Sequence, residues 1–347
     1  MPSRVSEPET YGCEESPGLC SLISGNGFLP AEQPLRRLPD AYYEEWEEIV
    51  GDLPNLIKER AIRSKIDNMS LLTTAKLKTE REWQRAYVIL SFLTHSYIWG
   101  GDVPSEILPP SITVPFLQVS DHLQLPPIAT YAALNLWNFS STSSNNSSST
   151  DSSCSTGEEE EFTDLDNLRA LHTFSGTEDE SWFYVLSVAA EARGARAIPV
   201  MLRAAEAVRR GDHDAVSRGL VEMAGCVRGL ARLLGRMQER CDPAVFYHQL
   251  RPFLAGTRNM TAAGLPADGV FYDEGDGEGR WRQLRGGSNG QSSLIQFFDL
   301  VLGVEHTSAG DRRTTTTTTT TKMTQKGDGA PGELSFHEEV SSGFPAR

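Results

Sequence analysis

One apolar repeat constrains this chain more than any other feature. Val216, Leu220, Met223, Val227, Leu230, Leu234 and Met237 recur at alternating steps of four and three residues. Only a helix gathers such positions on one side, because each turn takes about 3.6 residues. The spacing predicts a helix over 214–240 with one long face buried. A second helix in a coiled coil would cover that face, and so would the core of an antiparallel bundle. Gly219, Gly225, Gly229 and Gly235 interrupt the run, and the flanking positions lack matched charges, so a bundle core fits better.

Other segments follow the same period. Pro39-Asp40 opens a helix that carries Tyr43, Trp46, Ile49 and Val50. Thr79-x-x-Glu82 is a capping box. The helix it starts places Trp83, Ala86, Leu90, Leu93 and Tyr97 on one face and ends at Gly100-Gly101. After a stretch with Pro104, Pro109, Pro110 and Pro115, further helices are expected over 123–137, 165–174, 181–193 and 291–304, the last ending near Gly303. No set of alternating strands stands out, so the expected fold class is all-α or nearly so. Asn138 to Gly157 is dominated by Ser, Thr and Asn, and four glutamates follow. Such a stretch cannot bury enough apolar area to offset its conformational entropy. The expected organisation is a loose tail over 1–25, a small N-terminal helical domain over 26–137 and a disordered insert over 138–161. A larger helical domain over 162–306 and a low-complexity tail over 307–347, containing Thr314 to Thr321, complete it.

The net charge of -15 argues against nucleic acid as a partner, because that binding depends on neutralising phosphates with Lys and Arg. It argues equally against docking on anionic lipid. Cys13, Cys20, Cys154, Cys226 and Cys241 form no CxxC pair, which excludes a disulfide framework or a zinc site. The N-terminus has no apolar run. The longest apolar stretch, Val88 to Trp99, is too short for a bilayer and contains His95. A soluble, cytoplasmic protein is expected, in which the sequon at Asn138-Phe139-Ser140 has no meaning.

Generic catalytic motifs are missing. There is no HExxH, no GxGxxG after a strand, no GxxxxGK[ST] and no GxSxG. Gly286-Gly287-Ser288-Asn289-Gly290 would suit a phosphate at a helix start, but it lacks a lysine and reads better as a flexible loop. The seven histidines never pair at metal-ligand spacing. Arg251 lies between Phe246-Tyr247-His248-Gln249-Leu250 and Pro252-Phe253-Leu254. A guanidinium among apolar side chains needs an anion. The anion is either an internal carboxylate, with Asp299 a candidate, or the carboxylate of a ligand held bidentately.

Several motifs in order resemble one family. They are Leu38-Pro39-Asp40 through Trp46, Ser96-Tyr97-Ile98-Trp99-Gly100, and Leu108-Pro109-Pro110-Ser111-Ile112. Next come Leu123-Gln124-Leu125-Pro126-Pro127-Ile128 with Tyr131, and Phe183-Tyr184-Val185-Leu186-Ser187 with Glu191. Phe246-Tyr247 with Leu250-Arg251, Gly286-Gly287-Ser288 with Gly290-Gln291-Ser292-Ser293, and Phe298-Asp299 with Leu302-Gly303-Val304 complete the set. Together they resemble the haem-dependent indoleamine 2,3-dioxygenases, over about residues 26 to 306. The resemblance implies a two-domain, all-α helical fold holding haem b and its iron, acting as a monomer. It implies a reaction in which O2 opens the indole ring of L-tryptophan to give N-formylkynurenine, in tryptophan catabolism, the kynurenine pathway and NAD biosynthesis. Haem carries that chemistry, and the protein supplies binding and orientation. By the same resemblance Arg251 pairs with the substrate carboxylate and Phe246 walls the indole. Phe183, Tyr131 and Ser187 shape the distal pocket, and Ser288 closes over it. Asp299 supports the proximal side. Leu134 and Tyr184 depart from the mammalian pattern, which has a small residue and a second phenylalanine there.

The family's iron-ligating histidine has no match. The resemblance ends at Val304-Glu305-His306-Thr307, and none of the seven histidines stands in the ligand motif. The expectation is a chain whose substrate side is present and whose C-terminal helices and proximal ligand are missing.

Overall fold

A computed structural model describes residues 24–142 and 162–304. The helices are α1 (Glu44–Gly51), α2 (Leu53–Lys58), α3 (Ile62–Asp67), α4 (Glu80–Trp99), α5 (Pro110–Leu123), α6 (Glu178–Gly194), α7 (Ala197–Arg210), α8 (His213–Leu234) and α9 (Ser293–Leu302). Short strands sit between them: β1 (Ile107–Leu108), β2 (Phe139–Ser141), β3 (Leu168–Ala170), β4 (Val270–Gly275) and β5 (Glu278–Arg282). The fold is helical, as expected. Among the described residues no helix is long and apolar enough to cross a membrane.

The N-terminal half is built around α4. Thr79 caps it by accepting from the Glu82 amide, and Glu82 accepts from the Lys78 amide in return. From Arg85 to Ser96 every residue of α4 is buried. Helices α1, α3 and α5 pack on different sides of it, so Trp46 and Ile49 of α1 and Phe116 of α5 join Tyr87, Phe92 and Leu93 in one core. A buried ion pair crosses this core. Arg85 Nε and Nη2 donate to Glu47 Oε1 and Oε2 at 3.1 and 2.5 Å.

Three expectations need correction. The predicted helix over 123–137 is not formed. Helix α5 ends at Gln124 in a left-handed conformation, and only a five-residue π turn, Ala132–Leu136, follows. Pro126 and Pro127 lack amide protons and bias the preceding residues away from helix. The predicted helix over 165–174 is replaced by β3, because Asp164 accepts from the Asp166 amide and from Asn167 Nδ2, closing an Asx turn instead. The insert expected from 138 begins later. Asn138 and Phe139 are fully buried, Phe139 meets Phe162 edge-on at 5.2 Å, and β2 pairs antiparallel with β3. One phenylalanine in a polar run is enough to anchor a strand. The rest of the expected insert lies outside the described residues, as do most of the two expected tails.

The other half packs α8 against both α6 and α7. Helix α7 was not anticipated. Its Ile198, Met201 and Ala204 meet Met223 and Leu230 of α8, together with Leu294 and Phe298 of α9. The repeat that announced α8 is only half covered: Met223 and Leu230 are buried, whereas Leu220, Val227 and Leu234 are exposed. The hairpin β4–β5 was also missed. It turns at Asp276-Gly277, both at positive φ, the Asp-Gly signature of a tight hairpin. Strand β4 runs parallel to β1 and ties this hairpin to the N-terminal half.

Candidate functional site

Helix α6 presents Phe183, Ser187 and Glu191 at steps of four, hence along one face. Three distant segments close on that face. The ring of Phe246 lies 5.0 Å from that of Phe183, centroid to centroid. Tyr131, at the start of the π turn, donates its hydroxyl proton to Glu191 Oε1 at 3.0 Å and meets the Ser187 hydroxyl. Ser292, the N-cap of α9, donates to the same Glu191 oxygen at 2.5 Å. Tyr131 is 4% exposed, Glu191 1% and Ser292 2%. Burial pushes the Glu191 carboxyl above its ordinary range. Burial, and then the neighbouring Glu191, push the Tyr131 phenol well above its own. The cluster is a buried set of hydroxyl and carboxyl groups beside two aromatic rings.

The Gly-rich loop is pinned at both ends. Ser288 forms a capping box with Gln291 over the short turn Asn289–Gln291. Gln291 Oε1 accepts from the Tyr131 amide at 2.9 Å. At the other end Leu284 O accepts from the amides of Thr257 and Arg258 at 2.7 and 3.1 Å. A Cβ on Gly286 would stand 2.2 Å from Leu254 O, and one on Gly287 2.4 Å from Leu134 Cδ1. Glycine is required at 286, where a Cβ would meet backbone, whereas at 287 the tip of Leu134 would have to move. Leu134 thus fills the space against the loop.

Arg251 follows Phe246 on a short helical run made of Pro243–Val245, Phe246–Leu250 and Arg251–Leu254, started by an Asp242 cap. It is exposed, with its guanidinium 5.1 Å from the Tyr247 ring centre. The internal salt bridge weighed for it is not formed: neither Asp299 nor another described carboxylate pairs with it. Asp299 lies seven residues past Ser292 on α9, roughly 10 Å along the axis. Tyr184 directs its hydroxyl to Glu180 at 2.9 Å, so the change from phenylalanine adds no free hydroxyl to the cluster. The structure thus gathers Tyr131, Ser187, Phe183 and Phe246, links Ser288 to them through Gln291, and leaves Asp299 at the other end of its helix. Glu191, Gln291 and Ser292 had been noticed only as motif letters. The i, i+4, i+8 spacing of Phe183, Ser187 and Glu191 was the available signal.

Known proteins of similar sequence place the chain in a family. The family model for indoleamine 2,3-dioxygenase matches residues 21–347. The indoleamine 2,3-dioxygenase nanC of Aspergillus nanangensis is 43% identical over 282 residues, covering 81% of this chain and 66% of that protein. The chain belongs to the indoleamine 2,3-dioxygenase family. The indoleamine 2,3-dioxygenase of Saccharomyces cerevisiae is 43% identical over 288 residues, 82% of this chain and 60% of its own length. The 6-hydroxytryptophan 2,3-dioxygenase fscD of Fusarium equiseti is 38% identical over 280 residues, 81% of this chain and 65% of its own. The chain therefore spans 60% to 66% of the length of these relatives. The family match also runs past residue 306, where the motifs alone had set its end.

The family depends on haem, so the donor set bears testing. The apolar rings and hydroxyls at Phe183, Phe246, Tyr131 and Ser187 suit the face over a haem. An axial nitrogen is another matter. His95 is buried with both ring nitrogens engaged, donating to Phe253 O at 2.6 Å and accepting from the Ala129 amide at 3.1 Å. Burial lowers its pKa to about 4. His122 stacks on Trp83 and bonds Glu80. His172 is half-buried between Phe92 and Asn138, and desolvation, with Arg85 nearby, holds its pKa well below the ordinary value. His213 and His248 are exposed. None of these joins the cluster, and His306 and His337 lie outside the described residues. Among the described residues no histidine stands where it could ligate an iron beside this cluster.

Proposed function

We propose that this chain serves the haem-dependent opening of the indole ring of L-tryptophan by O2, giving N-formylkynurenine. The observation that carries the reading is the Phe183–Phe246 pair, with Arg251 following on the helical run of Phe246. Two rings 5.0 Å apart make an aromatic wall, and a guanidinium stands five residues beyond Phe246 on the same helical run. Aromatic faces and a planar cation are what an aromatic amino acid requires at its two ends. Haem, when bound, supplies the activation of O2. Phe246 and Phe183 hold the indole, Arg251 holds the carboxylate, and Ser187 and Tyr131 shape the pocket beside them.

One observation favours a second reading, a helical binding module without catalysis: among the described residues no histidine meets the cluster. The test is expression of the full chain with hemin, recording its optical spectrum and its products from tryptophan and 6-hydroxytryptophan. A histidine-ligated Soret band with N-formylkynurenine supports the dioxygenase. Tryptophan binding without either would support the module and sink the first reading.

A further inference from the structure

We propose that Glu191 is the positioning residue of this site: its carboxyl group clamps the loop over 286–292 to Tyr131 and fixes where the loop stands against helix α6. Three segments remote in sequence meet at one oxygen. Glu191 Oε1 accepts from Tyr131 at 3.0 Å and from Ser292 at 2.5 Å. The Ser292 hydroxyl also accepts from the Ile295 amide at 3.1 Å, so the clamp extends into the first turn of α9. The preceding residue repeats the tie, since Gln291 Oε1 accepts from the Tyr131 amide. Residues 285–290 thus hang between this clamp and the Thr257–Leu284 contact at the other end.

The energetics point the same way. Glu191 is buried, and its second oxygen has no hydrogen-bond partner. An unmet buried polar atom is destabilising, and an apolar side chain at this helix position would avoid that cost. The carboxyl is retained where its other oxygen joins Tyr131 to Ser292. Burial favours its uncharged form, so glutamine, whose carbonyl accepts the same two protons, is a near replacement.

This inference stands on the loop geometry and does not depend on the dioxygenase reading. The test is amide hydrogen exchange on the full chain, comparing peptides spanning 284–292 with peptides from α4. Glu191→Ala should speed exchange in the loop by about tenfold or more, as loss of strong hydrogen bonds implies, and leave α4 unchanged. Glu191→Gln should restore protection to within about threefold of the original. Tyr131→Phe, which removes one donor and keeps the ring in the core, should also speed the loop and serves if Glu191→Ala does not fold. Unchanged loop exchange in Glu191→Ala or Tyr131→Phe with α4 protected, or Glu191→Gln exchanging as fast as Glu191→Ala, overturns the proposal. A chain that gives no haem spectrum yet shows these changes refutes the dioxygenase reading and leaves the clamp standing.

Discussion

Replacing Glu47 by alanine should damage this fold more than any change at a surface ion pair. Glu47 and Arg85 have side chains 4% and 1% exposed. Glu47 Oε1 also accepts from the Leu38 amide at 2.7 Å, and Arg85 Nη1 already lacks a partner. Without Glu47 the guanidinium is left buried with no acceptor. Removing one partner of a buried pair costs about 3–5 kcal/mol, against about 0–1 kcal/mol for an exposed one. At about 2–4 °C per kcal/mol for a domain of this size, the melting temperature should fall by roughly 10 °C. The consequence reaches the site, since Tyr87 on α4 donates to Pro126 O and lies within hydrogen-bond reach of Ile128 O and Thr130, in the turn leading to Tyr131. The measurement is thermal and urea unfolding by circular dichroism. The control is Glu47→Leu with Arg85→Met, which removes both charges and should recover most of the loss. A loss below about 1 kcal/mol for Glu47→Ala, or a double variant as unstable as the single, would refute the claim that this pair is sealed from water.

Phe139→Ala should cost about 3–5 kcal/mol, because Phe139 is fully buried against Phe162; a loss below about 1 kcal/mol in urea titration would return residue 139 to the insert. Acid should destabilise the protein through His95. Its folded pKa, about 4, lies below the ordinary 6.5, so the unfolded chain takes up the proton first. Its contribution of roughly 3 kcal/mol is whole above about pH 6.5 and is lost as pH falls toward 4. His172 acts in the same sense, whereas the raised carboxyls of Glu180 and Glu191 act oppositely. Urea midpoints of the unaltered chain should therefore fall more steeply over this window than those of His95→Gln, and equal slopes would contradict the assignment. Arg251→Ala should weaken tryptophan binding about 10- to 100-fold with haem content unchanged; equal loss of both would count against the carboxylate role.

Helices were legible where a cap and an apolar stripe coincide. Thr79 with Glu82 marked the start of α4, and Gly303 marked the end of α9 in the left-handed conformation glycine favours. The stripe says nothing about how many neighbours an element has. Residues of α4 are buried on every side although only one face was read as apolar, while Leu220, Val227 and Leu234 of α8 belong to a regular seam and remain exposed. Strands were missed because each is short and carries few side chains. Phe139 anchors β2 almost alone, and the alternation of Val270 and Tyr272 before Asp276-Gly277 is brief enough to pass as loop.

The site divides along the same line. Arg251 could be singled out by residue type and apolar neighbours, whereas Phe183 and Phe246 entered through the motifs of the family resemblance. Glu191 could not be singled out, because its role exists only once residues 131, 191 and 292 meet at one oxygen. Arg251 shows the limit of reasoning from neighbours in sequence. Its apolar flanks argued for burial and an internal anion, yet the helical run turns those flanks inward and leaves the guanidinium exposed over Tyr247. An internal carboxylate would have neutralised this cation, and among the described residues it meets an aromatic face instead. It therefore remains able to receive a carboxylate from outside the chain, which is the condition the proposed substrate imposes.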